Sequence, residues 1–258
     1  MVDIQNQKDL RNLPINRVGV KNLRYPVSVL DRANQVQHTV AQVNMDVNLP
    51  HHFRGTHMSR FVEILNAHHK ELHIDKIDTI LQQMKDRLNA EEARMEIQFP
   101  YFIEKQAPVS GARSLMEYQC LYRGVLTDKP DFILGVDIPI TTLCPCSKEI
   151  SVQGAHNQRS TVRIQIRTNA FVWIEELVEY AEQSASSPLY ALLKREDEKA
   201  VTEQAFAKPM FVEDMVRDVA LKLEKDKRII WYAVESENME SIHNHDAYAR
   251  IENSKNIP

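Results

Sequence analysis

The sequence is poor in cysteine and glycine and contains no long apolar run. It holds three cysteines and six glycines in 258 residues. Cys144 and Cys146 lie too close along the chain to support a disulfide framework, so we expect reduced thiols. No apolar stretch approaches the roughly 20 residues of a membrane span, and the first ten residues lack the core of a signal peptide. We therefore predict a cytoplasmic protein that binds no membrane.

An excess of positive charge is also lacking. The 32 lysines and arginines are outnumbered by 36 acidic residues, which gives a formal net charge of −4 at pH 7. Nucleic-acid binding needs a broad basic surface, so we expect no nucleic-acid partner. With 43% hydrophobic and 26% charged residues, the composition is typical of a soluble globular protein. The length fits one large domain or two smaller ones, and the patterns below favour two.

Hydrophobic periodicity predicts an α+β fold. Residues 1–19 have few periodic apolar positions and are interpreted as an N-terminal arm. Apolar residues alternate over 43–49, which is the pattern of a strand with one buried face, and residues 21–30 are its expected partner. Two amphipathic helices and two further strands follow, predicted at 58–65, 77–88, 93–99 and 116–122.

The second half of the chain repeats this order of strands and helices. Strand, strand, helix, helix, strand and strand are predicted at 132–140, 162–166, 174–181, 212–223, 229–234 and 247–251. A tandem duplication is the economical interpretation. We assign the first unit to residues 20–130 and the second to residues 131–258.

The two copies differ in the length of two connections. The link between the first two strands is about five residues in the first copy and about twenty in the second, where it carries Cys144, Cys146 and His156. A second expansion, residues 186–208, separates the two helices of the later copy and contains an acidic run at 195–199. Extra loop length beyond the needs of a scaffold favours a functional role.

The three cysteines have different expected environments. Cys120 falls in register with Tyr118 and Tyr122 on one strand face, so we predict a buried core thiol. Cys144 and Cys146 have no such register, and His156 follows them. Thiolate and imidazole are ligands that transition metals prefer, which favours a metal site. The spacing alone leaves three alternatives for the pair: ligand, nucleophile or chance surface cysteines.

Histidines and arginines form two further candidate groups. If residues 241–245 are extended, His243 and His245 project from the same side of the chain and are placed to carry protons or bind a ligand. A polar turn is the alternative. Arg54, His57 and Arg60 precede a predicted helix, whose N-terminus favours anions. The alternative there is a solvated basic turn.

Acidic side chains on the later helices are mostly expected to be exposed. The group comprises Glu196, Glu198, Glu203, Glu213 and Asp214. A buried member instead has two possible roles, as a metal ligand or as a bidentate acceptor for a planar N–H edge.

Four motifs together resemble the type IB GTP cyclohydrolases. They are TTLCPCSKE at 141–149, RGTHMSRF at 54–61, FVED at 211–214 and SIHNHDA at 241–247, and the similarity runs from about residue 20 to 251. The resemblance implies tandem tunnelling-fold units, each an antiparallel four-stranded sheet with two helices in the order ββααββ. It also implies a homo-oligomer, commonly a tetramer, with multi-subunit barrels and active sites at subunit interfaces.

The activity implied by this resemblance is conversion of GTP and water to 7,8-dihydroneopterin triphosphate and formate, the first step of folate and pterin biosynthesis. The implied cofactor is one divalent metal per site, either zinc, manganese or iron(II), with no organic cofactor. Its ligands carry over to Cys144, His156 and Glu198, and Cys146 is the alternative to Cys144.

Substrate and catalytic roles carry over in the same way. Glu213 matches the carboxylate that holds the guanine N1–H and 2-amino edge. His243 and His245 are the candidates for proton transfer beside the catalytic Cys144. Charge complementarity gives the candidates for triphosphate binding, namely Arg54, His57, Arg60 and Lys148.

Two rival functions share parts of this pattern. A nitrile reductase of the same fold acts with NADPH on a 7-deazaguanine through a cysteine nucleophile, but its lysine-rich cofactor motif is not evident here. A non-catalytic oligomer that binds metal or purine is the other alternative. Four protein ligands around a metal would favour that alternative, whereas three ligands and water would favour catalysis.

Overall fold

The computed structural model describes residue 5 and residues 7–68 and 76–255, which form an α+β chain. Within this described part, no helix is both long and apolar enough to cross a membrane. The strands are β1 Ile15–Asp31, β2 Gln35–Leu49, β3 Ala93–Gln106, β4 Arg113–Leu126, β5 Pro130–Leu143, β6 Asn157–Thr168, β7 Ser187–Pro188, β8 Ile229–Asn238 and β9 Ala247–Ser254. The helices are α1 Met58–His68, α2 Ile77–Leu88, α3 Pro145–Ile150, α4 Ile174–Ser184, α5 Arg195–Ala207 and α6 Val212–Lys225.

The order of elements confirms the predicted repeat. β1, β2, α1, α2, β3 and β4 are followed by β5, β6, α4, α6, β8 and β9, with α3, β7 and α5 added within the two expanded connections. The predicted end of the N-terminal arm at residue 19 was wrong. β1 begins at Ile15, so residues 15–19, which the periodicity assigned to the N-terminal arm, belong to a strand. Residues 1–4 and 6 of that arm lie outside the described residues.

The chain divides into two compact units. One comprises residues 1–100 and 121–134, and the other comprises residues 101–120 and 135–258. We call them unit 1 and unit 2. The strands β3, β4 and β5 contribute residues to both. The predicted division at 130/131 concerns repetition along the sequence, which is a different property from compactness, and stays a prediction.

Unit 1 is a sheet covered by two helices. β1 pairs with β2 and β2 with β3, both antiparallel, and the alternation that predicted β2 places Val43, Met45 and Val47 in the core. α1 packs against α2. The single apolar stripe of each helix is buried, as the 3.6-residue period requires. The stripes comprise Phe61, Ile64 and Leu65 on α1, and Ile77, Ile80, Leu81, Met84 and Leu88 on α2.

Gly124 in β4 lies directly beneath α2. A Cβ atom at this position would lie 2.5 Å from Ile77 Cγ2 and 2.9 Å from Leu81 Cδ1. Because Ile77 is β-branched and buried, it has little room to move. We expect Gly124→Ala to lower the free energy of unfolding by about 1–3 kcal/mol in urea titrations. Gly55→Ala is the control, since its nearest neighbour would lie at an ordinary 3.6 Å, and an equal loss in both variants would contradict the packing argument.

Unit 2 contains the strands β6, β8 and β9 and the helices α4 and α6. β8 pairs with β6 on one side and with β9 on the other, all antiparallel. α6 packs on β8 and β9, and α4 packs on α6. Val162, Ile164 and Ile166 fill the core from β6, which confirms the alternation read from the sequence. Cys120 is buried in this unit, as predicted, and burial raises the pKa of its thiol well above the ordinary value.

A partly buried ion pair joins β3 to α4 in unit 2. Lys105 Nζ lies 2.7 Å from Glu182 Oε1 and 2.7 Å from the Leu189 carbonyl oxygen, while the Tyr118 hydroxyl donates to Glu182 at 2.7 Å. Burial lowers the pKa of Lys105, although Glu182 opposes that shift. Removing one member of such a pair leaves the other charge partly buried without its partner, which is the costly case.

We therefore expect Lys105→Met to lower the free energy of unfolding by about 1–3 kcal/mol in urea titrations. Adding Glu182→Gln to that variant removes the stranded charge and keeps an acceptor for Tyr118. The double variant should recover a large part of the loss. A double variant less stable than Lys105→Met alone would show that uncompensated charge is not the cause.

Candidate functional site

The Cys-Pro-Cys segment forms the start of a short helix and is not an open loop. Cys144 is the N-cap of α3, Pro145 occupies the first helical position and the Cys144 Sγ accepts the Ser147 backbone N–H at 3.4 Å. Proline is favoured there because its missing N–H would be unpaired in any case. The sequence predicted a loop here, and this was wrong for Pro145–Ile150, which form α3. Cys146 lies on α3 and is exposed, whereas Cys144 is partly buried.

Backbone hydrogen bonds bring His156 back to Cys144. The Cys144 N–H donates to the His156 carbonyl oxygen at 3.1 Å, and the His156 N–H donates to Ser147 Oγ at 3.2 Å. Gly154 has φ +83°, which glycine adopts at low cost and which allows the chain to turn back. Cys144 and His156 are separated along the sequence, and the fold brings their backbones together.

A cavity in unit 2 contains both the thiol and a predicted substrate carboxylate. Cys144 and Glu213 line it together with Gln158, Phe211, Asn238 and Glu240. Glu213 stands in the first turn of α6, whose start is fixed by the Asp214 side chain accepting the Phe211 N–H at 3.0 Å. The preceding segment is anchored where Met210 N–H donates to the Leu143 carbonyl oxygen at 3.0 Å. Two separate sequence motifs therefore meet in one cavity.

The histidine pair lies in a turn, which corrects the extended geometry considered for residues 241–245. The rings of His243 and His245 are nevertheless adjacent, stacked with centroids 5.0 Å apart and an interplanar angle of 18°. His243 Nε2 lies 3.7 Å from Glu240 Oε2. Since Glu240 lines the cavity that contains Cys144, it connects the histidine turn to that cavity.

The donors of the predicted metal centre fit a divalent transition metal in their chemistry, because thiolate, imidazole and carboxylate are all ordinary ligands for such ions. Cys144 and His156 are brought together by the backbone bond between them. Glu198 is exposed on α5. No group of three or more His, Cys, Asp or Glu side chains is gathered to hold a metal in residues 7–68 and 76–255. The three-ligand set stays a prediction.

Asp197, the neighbour of Glu198, fixes the start of α5. Its carboxylate accepts the backbone N–H groups of Val109, Ser110 and Lys194, each at 2.8 Å, and the Ser110 hydroxyl at 2.6 Å. Burial would raise the pKa of Asp197, but these hydrogen bonds, led by those of Ser110, hold it well below its ordinary value. The carboxylate therefore stays ionised and holds the backbone beside Glu198 in place.

Arg54, Arg60 and Lys148, which are predicted triphosphate ligands, donate hydrogen bonds to other protein groups. Arg54 donates to Gln7 Oε1 at 3.1 Å, and Arg60 donates to the Arg87 carbonyl oxygen at the end of α2 at 2.6 Å. Lys148 donates to the Phe206 carbonyl oxygen at 2.6 Å. His57 lines a small cavity with Arg60 in unit 1. Their roles toward a substrate stay predictions.

Sequence reasoning missed Gln158, Asn238 and Glu240. The sequence did contain a signal for Gln158. The buried positions Val162, Ile164 and Ile166 recur at every second residue of β6, and the same spacing continues toward the N-terminus through Ser160 to Gln158. That extension places polar side chains on the inward face of β6, next to His156. The register of β8 leads to Asn238 in the same way, and Asn238 pairs with Ser160. For Glu240, which follows the strand, periodicity gives no signal.

Comparison of the fold with solved structures gives distant relatives. Urate oxidase from Bacillus sp. TB-90 superposes with a TM-score of 0.55 at 8% identity, covering 93% of this chain and 100% of that chain. Uricase from Arthrobacter globiformis gives a TM-score of 0.51 at 8% identity, covering 93% and 94%. The chain is thus an antiparallel α+β protein with the fold of these enzymes, and its own cavity is lined by thiol, amide and carboxylate groups.

Sequence comparison assigns the family. Residues 1–249 match the family described as type I GTP cyclohydrolase folE2. The GTP cyclohydrolase FolE2 of Syntrophotalea carbinolica is 59% identical over 252 residues, covering 98% of this chain and 95% of that protein. The protein of the same name from Geobacter sulfurreducens is 58% identical over 255 residues, with 99% of each chain covered. The chain belongs to the type I GTP cyclohydrolase family folE2, which confirms the resemblance read from its motifs.

Proposed function

We propose that this chain is a metal-dependent GTP cyclohydrolase that converts GTP and water to 7,8-dihydroneopterin triphosphate and formate, the first step of folate and pterin biosynthesis. The observation that carries the proposal is the shared cavity of Cys144 and Glu213 in unit 2. Family membership supplies the reaction, and the cavity supplies a thiol for the reacting end and a carboxylate for the purine edge.

Glu213 is the proposed anchor of the guanine base. A carboxylate offers two acceptor oxygens to the parallel N1–H and 2-amino donors of guanine, as it does to a guanidinium group. Its place in the first turn of α6 fixes its backbone relative to Cys144. Gripping the purine at this edge orients C8 away from Glu213, toward the part of the cavity where Cys144 lies.

Cys144, His156 and Glu198 are the proposed holders of a divalent ion, either zinc, manganese or iron(II). When bound, such an ion lowers the pKa of water so that hydroxide is available near neutral pH. The backbone bond between Cys144 and His156 supports the first two members of the set. Glu198 rests on the family resemblance and on the rigid α5 start that Asp197 provides.

His243 and His245 are the proposed proton carriers. Opening of the imidazole ring of GTP requires a proton at the departing nitrogen, and the later ring closure releases a proton from the nitrogen that attacks. Histidine serves both directions near neutral pH. Glu240 Oε2 lies 3.7 Å from His243 Nε2, and this supports the role because it places an acceptor beside the ring that would carry the proton.

The triphosphate is proposed to bind Arg54, His57, Arg60 and Lys148. The support is charge, since guanidinium and ammonium groups are the usual partners of phosphate oxygens. Arg54, Arg60 and Lys148 would have to exchange their present protein partners for substrate. Such exchange is compatible with the partners involved, which are an amide oxygen and two backbone carbonyl oxygens.

We also propose that the chain acts as a homotetramer built from tandem tunnelling-fold units, with barrels shared between subunits. β1 ends the strand order at one side and β9 at the other. Such terminal strands carry backbone groups that can pair with another chain. Light scattering should give four times the mass of one chain, and a monomer with full activity would contradict interface active sites.

Purified metal-free protein, incubated with GTP and then with zinc, manganese or iron(II) in turn, tests the proposed reaction. Oxidation after turnover should yield a fluorescent pterin triphosphate in the presence of metal. A parallel incubation with a 7-cyano-7-deazaguanine and NADPH tests the rival reductase. Absence of pterin with every metal, accompanied by NADPH consumption on the nitrile, would replace the proposal by that rival.

A further inference from the structure

We propose that Gln158 is a positioning residue that fixes which ring nitrogen of His156 carries the proton in the neutral imidazole, with Thr142 and Ser160 as its support. These side chains form a relay behind the imidazole on strands β5 and β6. The inference deepens the proposed function, since it concerns how His156 presents a lone pair to a metal. The hydrogen bonds among these side chains do not involve a metal.

The relay consists of three short contacts. Gln158 Oε1 lies 3.0 Å from His156 Nδ1, Gln158 Nε2 lies 2.8 Å from Thr142 Oγ1, and Thr142 Oγ1 lies 2.8 Å from Ser160 Oγ. Gln158 is 7% exposed, Ser160 1% and Thr142 0%. Water therefore has little access to replace any of these bonds, and each group depends on its neighbour in the relay.

The direction of the relay follows from the chemistry of the amide. An amide oxygen only accepts, so the contact at Oε1 requires a proton on His156 Nδ1. A neutral imidazole carries one N–H, which leaves the lone pair on Nε2. The Gln158 amide then donates to Thr142, whose hydroxyl is left to donate to Ser160. Each donor points the same way along the chain of bonds.

If the hydrogen bonds of the relay ran in the opposite direction, the other ring nitrogen of His156 would carry the proton. If Ser160 donated to Thr142 and Thr142 donated to a flipped Gln158, the amide nitrogen would face His156 Nδ1. The N–H of the ring would then sit on Nε2 and block coordination there. The orientation in the structure is the one that leaves Nε2 available. Ligating histidines commonly donate their second ring N–H to such an acceptor.

Three variants isolate this role. Gln158→Leu removes the acceptor while filling a similar volume. Gln158→Glu keeps an acceptor for Nδ1–H and accepts the Thr142 hydroxyl as well. Gln165→Leu is the matched control, because Gln165 lies on the same strand but outside the inward register that Gln158 shares with Ile164. Circular dichroism and thermal unfolding verify that each variant folds.

The first readout is the 15N NMR spectrum of metal-free, histidine-labelled protein at about pH 8, where an ordinary imidazole is neutral. Comparison with His156→Asn assigns the two ring nitrogens of His156. We expect a protonated Nδ1 and an unprotonated Nε2 in the wild type, in Gln158→Glu and in Gln165→Leu. Gln158→Leu should lose this preference. A wild-type ring protonated at Nε2 would overturn the inference without any reference to metal.

The second readout is cobalt(II) affinity, measured by competition with a chelator and followed by the thiolate-to-cobalt absorption band. Gln158→Leu should bind about 10- to 100-fold more weakly, whereas Gln158→Glu and Gln165→Leu should bind as the wild type does. Unchanged affinity in Gln158→Leu would overturn the positioning role. Wild-type affinity in His156→Asn would instead remove His156 from the proposed ligands, whatever proton position the NMR spectrum reports.

Discussion

Cys144→Ala should abolish turnover of GTP while leaving the fold intact. The thiol is one of the proposed metal ligands, and a bound metal contributes several kcal/mol of transition-state stabilisation. A loss of about 4 kcal/mol corresponds to a rate about 10³-fold lower. The expected result is therefore a fall in kcat of about 10³-fold or more, with little metal retained after gel filtration.

The matched comparison is Cys146→Ala, since Cys146 is the exposed thiol two positions along on α3. That variant should retain its metal in elemental analysis. The reverse pattern, with metal lost from Cys146→Ala and kept by Cys144→Ala, would exchange the roles of the two thiols. Full activity and full metal content in both variants would remove cysteine from the metal centre.

Glu213→Gln should lose most recognition of guanine. Two hydrogen bonds to a charged acceptor contribute about 1.5–3 kcal/mol each, and an amide turns one acceptor into a donor that faces another donor. We expect kcat/KM for GTP to fall about 10²- to 10⁴-fold. The ratio of kcat/KM for GTP to that for ITP, which lacks the 2-amino group, should fall toward one.

Asp218→Asn provides the control for Glu213→Gln, because Asp218 is exposed on the same helix and its substitution removes the same charge. Its kinetic constants for both nucleotides should match those of the wild type. If Glu213→Gln keeps its preference for GTP over ITP, the guanine edge is read by another residue of the cavity, for which Glu240 is the first alternative.

Much of the fold was predictable because one face of each strand and one stripe of each helix is buried. The start of β1 was not. The pairing of β1 with β2 shifts register between Val20 and Leu23, and Asn22 has φ +58°. An irregularity of this kind breaks the two-residue alternation, so the strand appears to begin later than it does. α3 was missed because six residues are too few to display a helical period.

The site was predictable to the extent that it rests on short motifs. Cys144 and Glu213 were identified along the sequence, but their meeting at one cavity depends on how β5 and α6 are packed. Spacing contains no information of that kind. The partners of Arg60 and Lys148 are backbone carbonyl oxygens, and these leave no trace in residue identity.

The fate of carbon 8 of GTP tests the central claim most directly. GTP labelled at C8 is incubated with metal-loaded wild-type protein, and the products are separated and counted. The account predicts that the label leaves as formate, in amounts equal to the dihydroneopterin triphosphate formed. Label that remains in a purine nucleotide, with GTP consumed, would contradict it.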